Sequence, residues 1–536
     1  MKGDSILKEI QIQNFRSLKD TGLQKLSPIT VLVGENSSGK STFLRSFPLL
    51  KQSISKRTSG PILWAGDVDD YVDFGSFRES VTNDESEEIK FRYKFDIRGA
   101  GIYYRYFSIK DPFTDERIDF PVDNIDYTIA IKSKQGKDYV SSCKIKLNSY
   151  CVDFDLESQN VYVDNRIIYS KEKLDKKNKD TIDNRTYNSY FMPFSHVFGF
   201  FFPNINSLWQ DLVKEIGIDP AEQTYSHSIL KEAVIDIGCL LDMYPQIPII
   251  PLSESDEDSL KFRKTIYNRL VTTLNSQNSD RILRIVKLLY VYGIMDDIDE
   301  YIFSYFKNVH YIAPLRATAE RYYRFRNLAV DEVDYQGKNL AVFINSLPQN
   351  RLTSFQEWTN SYFGFSVNTD KSAGHLSLQI KLQNSNKYIN LSDTGFGYSQ
   401  ILPIITQIWE LSSRKNAQVR MRRPQYSKVP LVIAIEQPEL HLHPAVQAKL
   451  ANAFIACIAL AQKNKQELQI ILETHSETII NYFGRAIARN KLKEDDVSLI
   501  LFERDFNHGI TKVCNSYYDS DGFLVNWPYG FFDAGE

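Results

Sequence analysis

Two short stretches carry residue types that could do chemistry, and they lie near opposite ends of the chain. The first is Gly34-Glu35-Asn36-Ser37-Ser38-Gly39-Lys40-Ser41, which has the G-x-x-x-x-G-K-S spacing of a phosphate-binding loop. Glycines at those positions let backbone N–H groups wrap phosphates. Lys40 can reach the β- and γ-phosphates, and the Ser41 hydroxyl can bind Mg²⁺. The second is Leu431-Val432-Ile433-Ala434-Ile435-Glu436-Gln437-Pro438-Glu439, an apolar run that ends in an acid. A carboxylate at the C-terminal end of a buried strand stands where open α/β sheets bind ligands, so Glu436 is expected to be the Mg²⁺-side acid.

These residues need particular elements to hold them. Ile29-Thr30-Val31-Leu32-Val33 reads as a buried strand leading into the loop, and Thr42-Phe43-Leu44-Arg45-Ser46-Phe47 reads as the helix leaving it. That helix N-terminus adds partial positive charge toward a bound anion, a context that a plain Gly/Ser turn lacks. With one half of the site at each end, a single core must be built from both ends. The expected division is 1–110 as one lobe of the head, 111–304 as an inserted region and 305–536 as the second lobe.

Composition narrows the classes. The chain has 536 residues and room for two or three domains, and its net charge of −3 carries no global signal for nucleic acid. Cys143, Cys151, Cys239, Cys457 and Cys514 are scattered without a C-x-x-C pair, which fits reduced thiols in a cytoplasmic protein. The polar start Met1-Lys2-Gly3-Asp4-Ser5 does not read as a signal peptide, and no run of 18 apolar residues reads as a membrane span.

Along the chain, alternation predicts strands over 6–12, 89–110, 126–132, 139–154 and 160–169. Lys171 to Asp180 reads as an exposed charged loop. From about 205 to 307 the pattern is helical without sustained heptads, so the insertion is expected to be compact, β-rich and then helical. Arg316, Arg321, Arg324 and Arg326 interleave with Tyr322, Tyr323 and Phe325. Such a segment could grip phosphates and stack bases, or form a salt-bridged surface. Arg420-Met421-Arg422-Arg423 poses the same choice.

The last third adds a third element. Leu391-Ser392-Asp393-Thr394-Gly395-Phe396-Gly397-Tyr398-Ser399-Gln400 precedes an apolar helix and makes a second Gly/Ser turn suited to an anion. After Glu436 the chain reads Gln-Pro-Glu-Leu-His-Leu-His-Pro, and Ile470-Ile471-Leu472-Glu473-Thr474-His475-Ser476 reads as a strand ending in a histidine. His441 and His443, two apart and without a third ligand, read as structural residues and not as a zinc site.

Taken in order, these motifs resemble the ABC-type ATPase heads of the SMC, RecF and OLD group. Within that group the chain looks most like the ATPase subunits of Septu-type antiphage defence systems (PtuA-like), some of which accompany retrons. The tail Asp521-Gly522-Phe523 and Asn526-Trp527-Pro528-Tyr529-Gly530-Phe531-Phe532-Asp533 looks like the ending common in prokaryotic ATPases of this group without a nuclease domain, and the narrower likeness rests on size, architecture and tail. The resemblance implies an α/β, ABC-type P-loop head, a mixed sheet with helices, that binds ATP and Mg²⁺. Two copies would dimerise head to tail around ATP, with larger oligomers left open. Gly34, Asn36, Ser37, Ser38, Gly39, Lys40, Ser41 and Thr42 would hold phosphates and Mg²⁺, with Glu436 sharing the metal. Asn14, Phe15 and Arg16 would lie near the nucleotide. Ser392, Gly395, Gly397 and Ser399 would approach the γ-phosphate from the partner copy, and His475 would sense it.

One departure matters for rate. Where many such heads have a second acid to orient the attacking water, this chain has Gln437. A glutamine can orient a water but cannot take its proton at neutral pH. Glu439 or His475 are the candidates to compensate, and slow hydrolysis is expected. Glu503 and Asp519-Ser520-Asp521 offer nuclease-type acids, but the chain after His475 is too short for a further α/β domain. Nucleic-acid cleavage is therefore expected from a separate partner of the HNH type, with retron RNA or DNA or phage nucleic acid as further partners and no membrane. A RecF-like repair ATPase that binds DNA itself is the alternative.

Overall fold

The computed structural model describes residues 7–56, 58–67, 70–82, 88–97, 122–170, 208–217, 258–276, 279–324, 332–372, 374–413, 429–505 and 509–528, together with 234, 237, 238, 241 and 330. The charged stretch 171–180, the basic spot 420–423, Phe325, Arg326 and the last part of the tail, 529–533, lie outside the described residues.

The chain begins with strands β1 (Leu7–Phe15), β2 (Leu18–Asp20), β3 (Gln24–Lys25) and β4 (Ile29–Gly34), followed by helix α1 (Lys40–Ser55). A one-turn helix α2 (Phe77–Ser80), closed by a Ser76–Glu79 capping box, leads to β5 (Glu88–Ile97). Next come β6 (Val122–Lys134), β7 (Lys137–Lys146), β8 (Cys151–Asp155), β9 (Asn160–Val163) and β10 (Arg166–Ser170). Helices α3 (Asp258–Leu274) and α4 (Asp280–Lys307) run into β11 (Val309–Ile312), and β12 (Tyr323–Arg324), α5 (Leu340–Ser346) and α6 (Gln349–Phe363) follow. The rest is β13 (Phe365–Ser372), β14 (His375–Leu382), β15 (Ile389–Asn390), α7 (Phe396–Ser413), β16 (Leu431–Glu436), α8 (Pro444–Lys463), β17 (Leu468–Glu473), α9 (Glu477–Ala488), β18 (Val497–Asp505), β19 (Ile510–Tyr518) and β20 (Leu524–Val525).

The sheet that carries the site has the order β11-β16-β17-β4-β18-β19-β20. Its first five strands are parallel, and β4 from the N-terminal end sits between β17 and β18 from the C-terminal end. One core is thus built from both chain ends, as the motifs require. Every residue of β4, β16 and β17 is buried, which is why these strands read as continuous apolar runs rather than alternating ones. Register sets the chemistry: Glu473 of β17 lies opposite Leu32 of β4 on one side and opposite Glu436 of β16 on the other.

A second, antiparallel sheet has the order β10-β9-β8-β7-β6-β5-β1-β2, with β3 on β1. Here β6 pairs with β5 from Glu88 opposite Lys132 to Ile97 opposite Val122. The expected boundary at 110/111 therefore falls inside one sheet, and the β-rich part of the insertion extends the N-terminal lobe. The stretch 139–154, read as one region, is two strands. The Leu147 N–H donates to the Tyr150 carbonyl at 2.9 Å and turns the chain at Asn148-Ser149, where the apolar alternation shifts phase from Cys143, Ile145 and Leu147 to Tyr150, Val152 and Phe154. Helix α4 covers this sheet with aromatics: Tyr301 stacks on Phe95 at 4.7 Å and Phe306 meets Tyr93 edge-on at 5.6 Å. Helix α1 lies between the parallel sheet and α4, Phe43 packing on Phe502 of β18 and Phe47 on Phe306 of α4.

By length and composition alone, α8 could cross a membrane. Its apolar side, including Leu450, Phe454, Cys457 and Ile458, is instead buried in the core that it shares with α7, α9 and β17. The Asp521-Gly522-Phe523 part of the tail docks on α9. Gly522, at φ +79°, brings its carbonyl against Gly484, leaving no room for a Cβ there. Asp519 accepts N–H bonds from Asp521 (3.0 Å) and Phe523 (2.8 Å), so this acid closes its own turn.

Candidate nucleotide and metal site

Strand β4 ends at Gly34 and the loop turns back over the start of α1. Gly39 has φ +98°, and a Cβ there would sit 2.8 Å from Ser17 Oγ and 2.9 Å from Leu18 Cδ2, so the position requires glycine on both counts. No side chain caps α1, so its first N–H groups face the loop interior. A cavity of about 500 Å³ opens here, lined by Arg16, Ser17, Asn36, Ser37, Ser38, Gly39, Lys40, Ser41, Thr42, Gln437 and Glu473. Three observations fit a bound nucleotide phosphate with its Mg²⁺. The helix end is uncapped, the buried Ser38 hydroxyl has no partner, and the buried Glu473 has one carboxylate oxygen, Oε2, without a partner. Lys40 is 3% exposed and donates to the carbonyls of Gly34 (2.9 Å) and Glu35 (2.5 Å). Burial lowers its pKa, and the nearby acids Glu473, Glu35 and Glu439 oppose that shift.

The acids are arranged differently from the sequence reading. Glu436, expected beside the metal, has both oxygens engaged. Arg45 of α1 holds it with Nε to Oε1 at 2.7 Å and Nη2 to Oε2 at 2.8 Å, and the Tyr311 hydroxyl donates to Oε1 at 2.7 Å. The hydroxyl of Ser41 donates instead to Glu473 Oε1 at 3.0 Å. Desolvation, reinforced by the neighbouring Glu436 charge, pushes the Glu473 carboxyl up to about 7. Glu473 was missed in the sequence although it carries the signal that picked out Glu436, an apolar run, Leu468 to Leu472, ending in an acid.

Gln437 lines the cavity in a left-handed backbone conformation, φ +43°. That conformation is costly for a residue with a side chain and persists only where the surroundings impose it. Its N–H donates to the Glu473 carbonyl at 2.8 Å, and buried Arg316 donates to the carbonyls of Glu436 (2.8 Å) and Gln437 (3.1 Å). Desolvation pushes the Arg316 guanidinium down to about 10. Arg316 is therefore a brace under the β16 terminus and not a surface grip for nucleic acid. Arg321 pairs with Asp393 at 2.7 Å, and Arg324 is exposed on β12.

Glu439 does not line the cavity. It accepts the Thr474 hydroxyl at 2.8 Å and the His475 N–H at 2.7 Å, which makes it an anchor for the 474–475 turn. His475 itself is exposed, and desolvation on its protein side together with the Lys40 charge keeps its pKa low. His443 caps α8 through Nδ1, accepting the Ala445 N–H at 3.2 Å, and His441 stands edge-on to Phe396 at 4.9 Å.

Of the three residues expected near the nucleotide at the end of β1, only Arg16 reaches the cavity. Phe15 is fully buried among Trp64, Phe74 and Phe91, and Asn14 donates to the Glu88 carbonyl at 3.1 Å. Asn14, at φ +59°, breaks the alternation that Ile10 and Ile12 set along β1, and Phe15 turns inward as a core residue. Gln52 of α1 clamps the chain that follows, donating to the carbonyls of Leu63 (2.9 Å) and Val72 (3.0 Å). Ser392, Gly395, Gly397 and Ser399 stand apart from the cavity, at the start of α7. Ser392 bonds Asn390, Ser399 bonds the Phe396 carbonyl, and Gly395 and Phe396 are exposed.

The sequence profile of a family described as an AAA ATPase domain matches residues 6–480. The chain belongs to this family. The AAA ATPase is also similar to the SMC head domain from Thermotoga maritima, with 10% identity and a TM-score of 0.33 over 95% of this chain and 98% of that one. A second similar structure is an SMC head bound to the C-winged helix domain of ScpA, with 10% identity and a TM-score of 0.32 over 95% and 97% of the two chains. No curated protein matches. The fold of the AAA ATPase is α/β, with the phosphate loop at the end of β4 in a mixed sheet covered by helices.

Behind the site a polar cluster ties α1 to α7. Glu332 meets His310 Nδ1 at 2.9 Å and Lys51 Nζ at 3.4 Å, and Gln407 of α7 meets His310 at 2.9 Å. Desolvation raises the Glu332 pKa, but the bonds and charges of His310 and Lys51 outweigh it and bring the pKa to about 2 from 4.5. A depressed carboxylate adds stability above its unfolded pKa and loses it as pH falls through the folded one. Discounted for the 39% exposure of the side chain, the contribution is on the order of 1 kcal/mol. Thermal unfolding of wild type and Glu332→Gln should differ near neutral pH, and the gap should close as pH falls from 4.5 toward about 2.

Proposed function

We propose that this AAA ATPase is an ATP-gated switch that hydrolyses slowly, and that it works as the regulatory subunit of an antiphage defence complex with a separate nuclease partner of the HNH type. The observation that carries the slow-switch reading is Gln437, which lines the cavity where the family pattern would put an acid. ATP would bind between the phosphate loop of one copy and the 392–399 turn of another, in the cytoplasm. The chain's own residues have clear tasks there: Lys40 and the α1 N-terminus hold phosphate charge, Gln437 orients a water, and Glu439 fixes the turn that presents His475.

The defence setting and the nuclease rest on the likeness to Septu-type ATPases in size, architecture and tail. The RecF-like alternative is less favoured by the described arginines, since Arg316 is buried and Arg321 is paired to Asp393. Salt-sensitive DNA binding by the protein alone would revive it.

The test is turnover alongside nucleotide binding. Wild-type turnover should fall well below ~1 s⁻¹, low for enzymes generally. Gln437→Glu restores a proton acceptor and should raise the rate by about 10²-fold, the lower range of general-base catalysis. Brisk wild-type turnover that is indifferent to Gln437→Glu would sink the switch reading.

A further inference from the structure

We infer that Glu473, and not Glu436, is the metal-side carboxylate of this site, acting with Ser41, and that Glu436 is a positioning residue. The inference rests on the nucleotide-site reading above and assigns its acid. Four observations carry it. Both Glu436 oxygens are occupied by the Arg45 fork and Tyr311, and Glu436 does not line the cavity. Glu473 does line the cavity, and the Ser41 hydroxyl, the expected metal ligand of the loop, already points at its Oε1 from 3.0 Å. Its other oxygen, Oε2, is buried without a partner. Finally, the sheet places β17 and not β16 next to the phosphate-loop strand, so the strand-end acid nearer the loop is Glu473.

The chemistry agrees. Mg²⁺ prefers one or two carboxylates together with phosphate oxygens and water, and it needs an oxygen donor free to turn toward it. A carboxylate held bidentate by a guanidinium has given up its donor directions. With Glu436 so held, the Arg45–Glu436 pair links α1 to the end of β16, and through the Gln437 backbone it sets where the water-orienting amide stands. Two acids at equal height on adjacent strands thereby take different roles.

The test measures the affinity of a non-hydrolysable ATP analogue, in Mg²⁺ and in EDTA, for wild type, Glu473→Gln and Glu436→Gln. Mn²⁺ electron paramagnetic resonance on the nucleotide complexes gives a direct metal readout. Glu473→Gln is isosteric and can still accept from Ser41, so it should fold and should bind the analogue in EDTA like wild type. It should lose the Mg²⁺ enhancement, a fall of about tenfold or more, and weaken the Mn²⁺ signal. Glu436→Gln should keep both. Retention of the enhancement in Glu473→Gln, or equal loss in the two variants, overturns the assignment. Absence of analogue binding in the wild type overturns the nucleotide-site reading itself.

Discussion

Lys40→Ala is expected to weaken ATP binding by about 10- to 100-fold, the worth of one charge-assisted hydrogen bond, and to cut turnover by about 10²- to 10³-fold. The turnover effect is larger because charge builds on the phosphate oxygens as the bond breaks, and a fixed ammonium counts most there. The structure supports a specific role over a structural one. Lys40 is 3% exposed and lines the open cavity, and among the described residues its side chain bonds the Gly34 and Glu35 carbonyls. The apo melting temperature of the variant should therefore stay close to that of wild type. Nucleotide-induced stabilisation separates the cases: at 100 times the dissociation constant wild type gains about 2.7 kcal/mol, and the variant should gain little at the same concentration. A variant that melts early but still gains full stabilisation would make Lys40 a structural residue.

The second large effect concerns stability. Arg45→Met should destabilise the fold by about 3 kcal/mol, the low end for breaking a buried ion pair from one side. The asymmetry of the pair explains the size. Arg45 keeps 40% of its side chain exposed, while Glu436 keeps 2%. Removing the arginine strands a buried carboxylate that keeps the Tyr311 hydrogen bond and the more distant Arg316 charge; removing the acid leaves an arginine that can reach water. The double variant Arg45→Met/Glu436→Gln should accordingly be more stable than Arg45→Met alone, because the stranded charge is gone. Thermal unfolding of the four species checks this, and a double variant no better than the single one would show that Arg45 acts through packing and not through Glu436.

What the sequence by itself determined is the part written in local patterns. The phosphate loop between an apolar run and a helix, the strands 431–436 and 468–473, and the union of both chain ends all follow from short stretches whose residue types admit one use. Gln437 in the acid position was equally plain. Three things were decided only in the folded chain, each because it depends on which strands are neighbours. The sheet order puts β17 next to β4, so Ser41 meets Glu473 and not Glu436. The pairing of β5 with β6 joins the insertion to the first lobe, a long-range choice that no local alternation encodes. The burial of Phe15 turned a residue expected near the nucleotide into a core ring, and that of Arg316 turned one read as either a phosphate grip or a surface ion pair into a brace, because the direction of a side chain depends on what packs around it. Short-range physics wrote the motifs, and the distribution of charge among them was settled by tertiary contacts that bring Arg45, Tyr311 and Glu436 together from three distant parts of the chain.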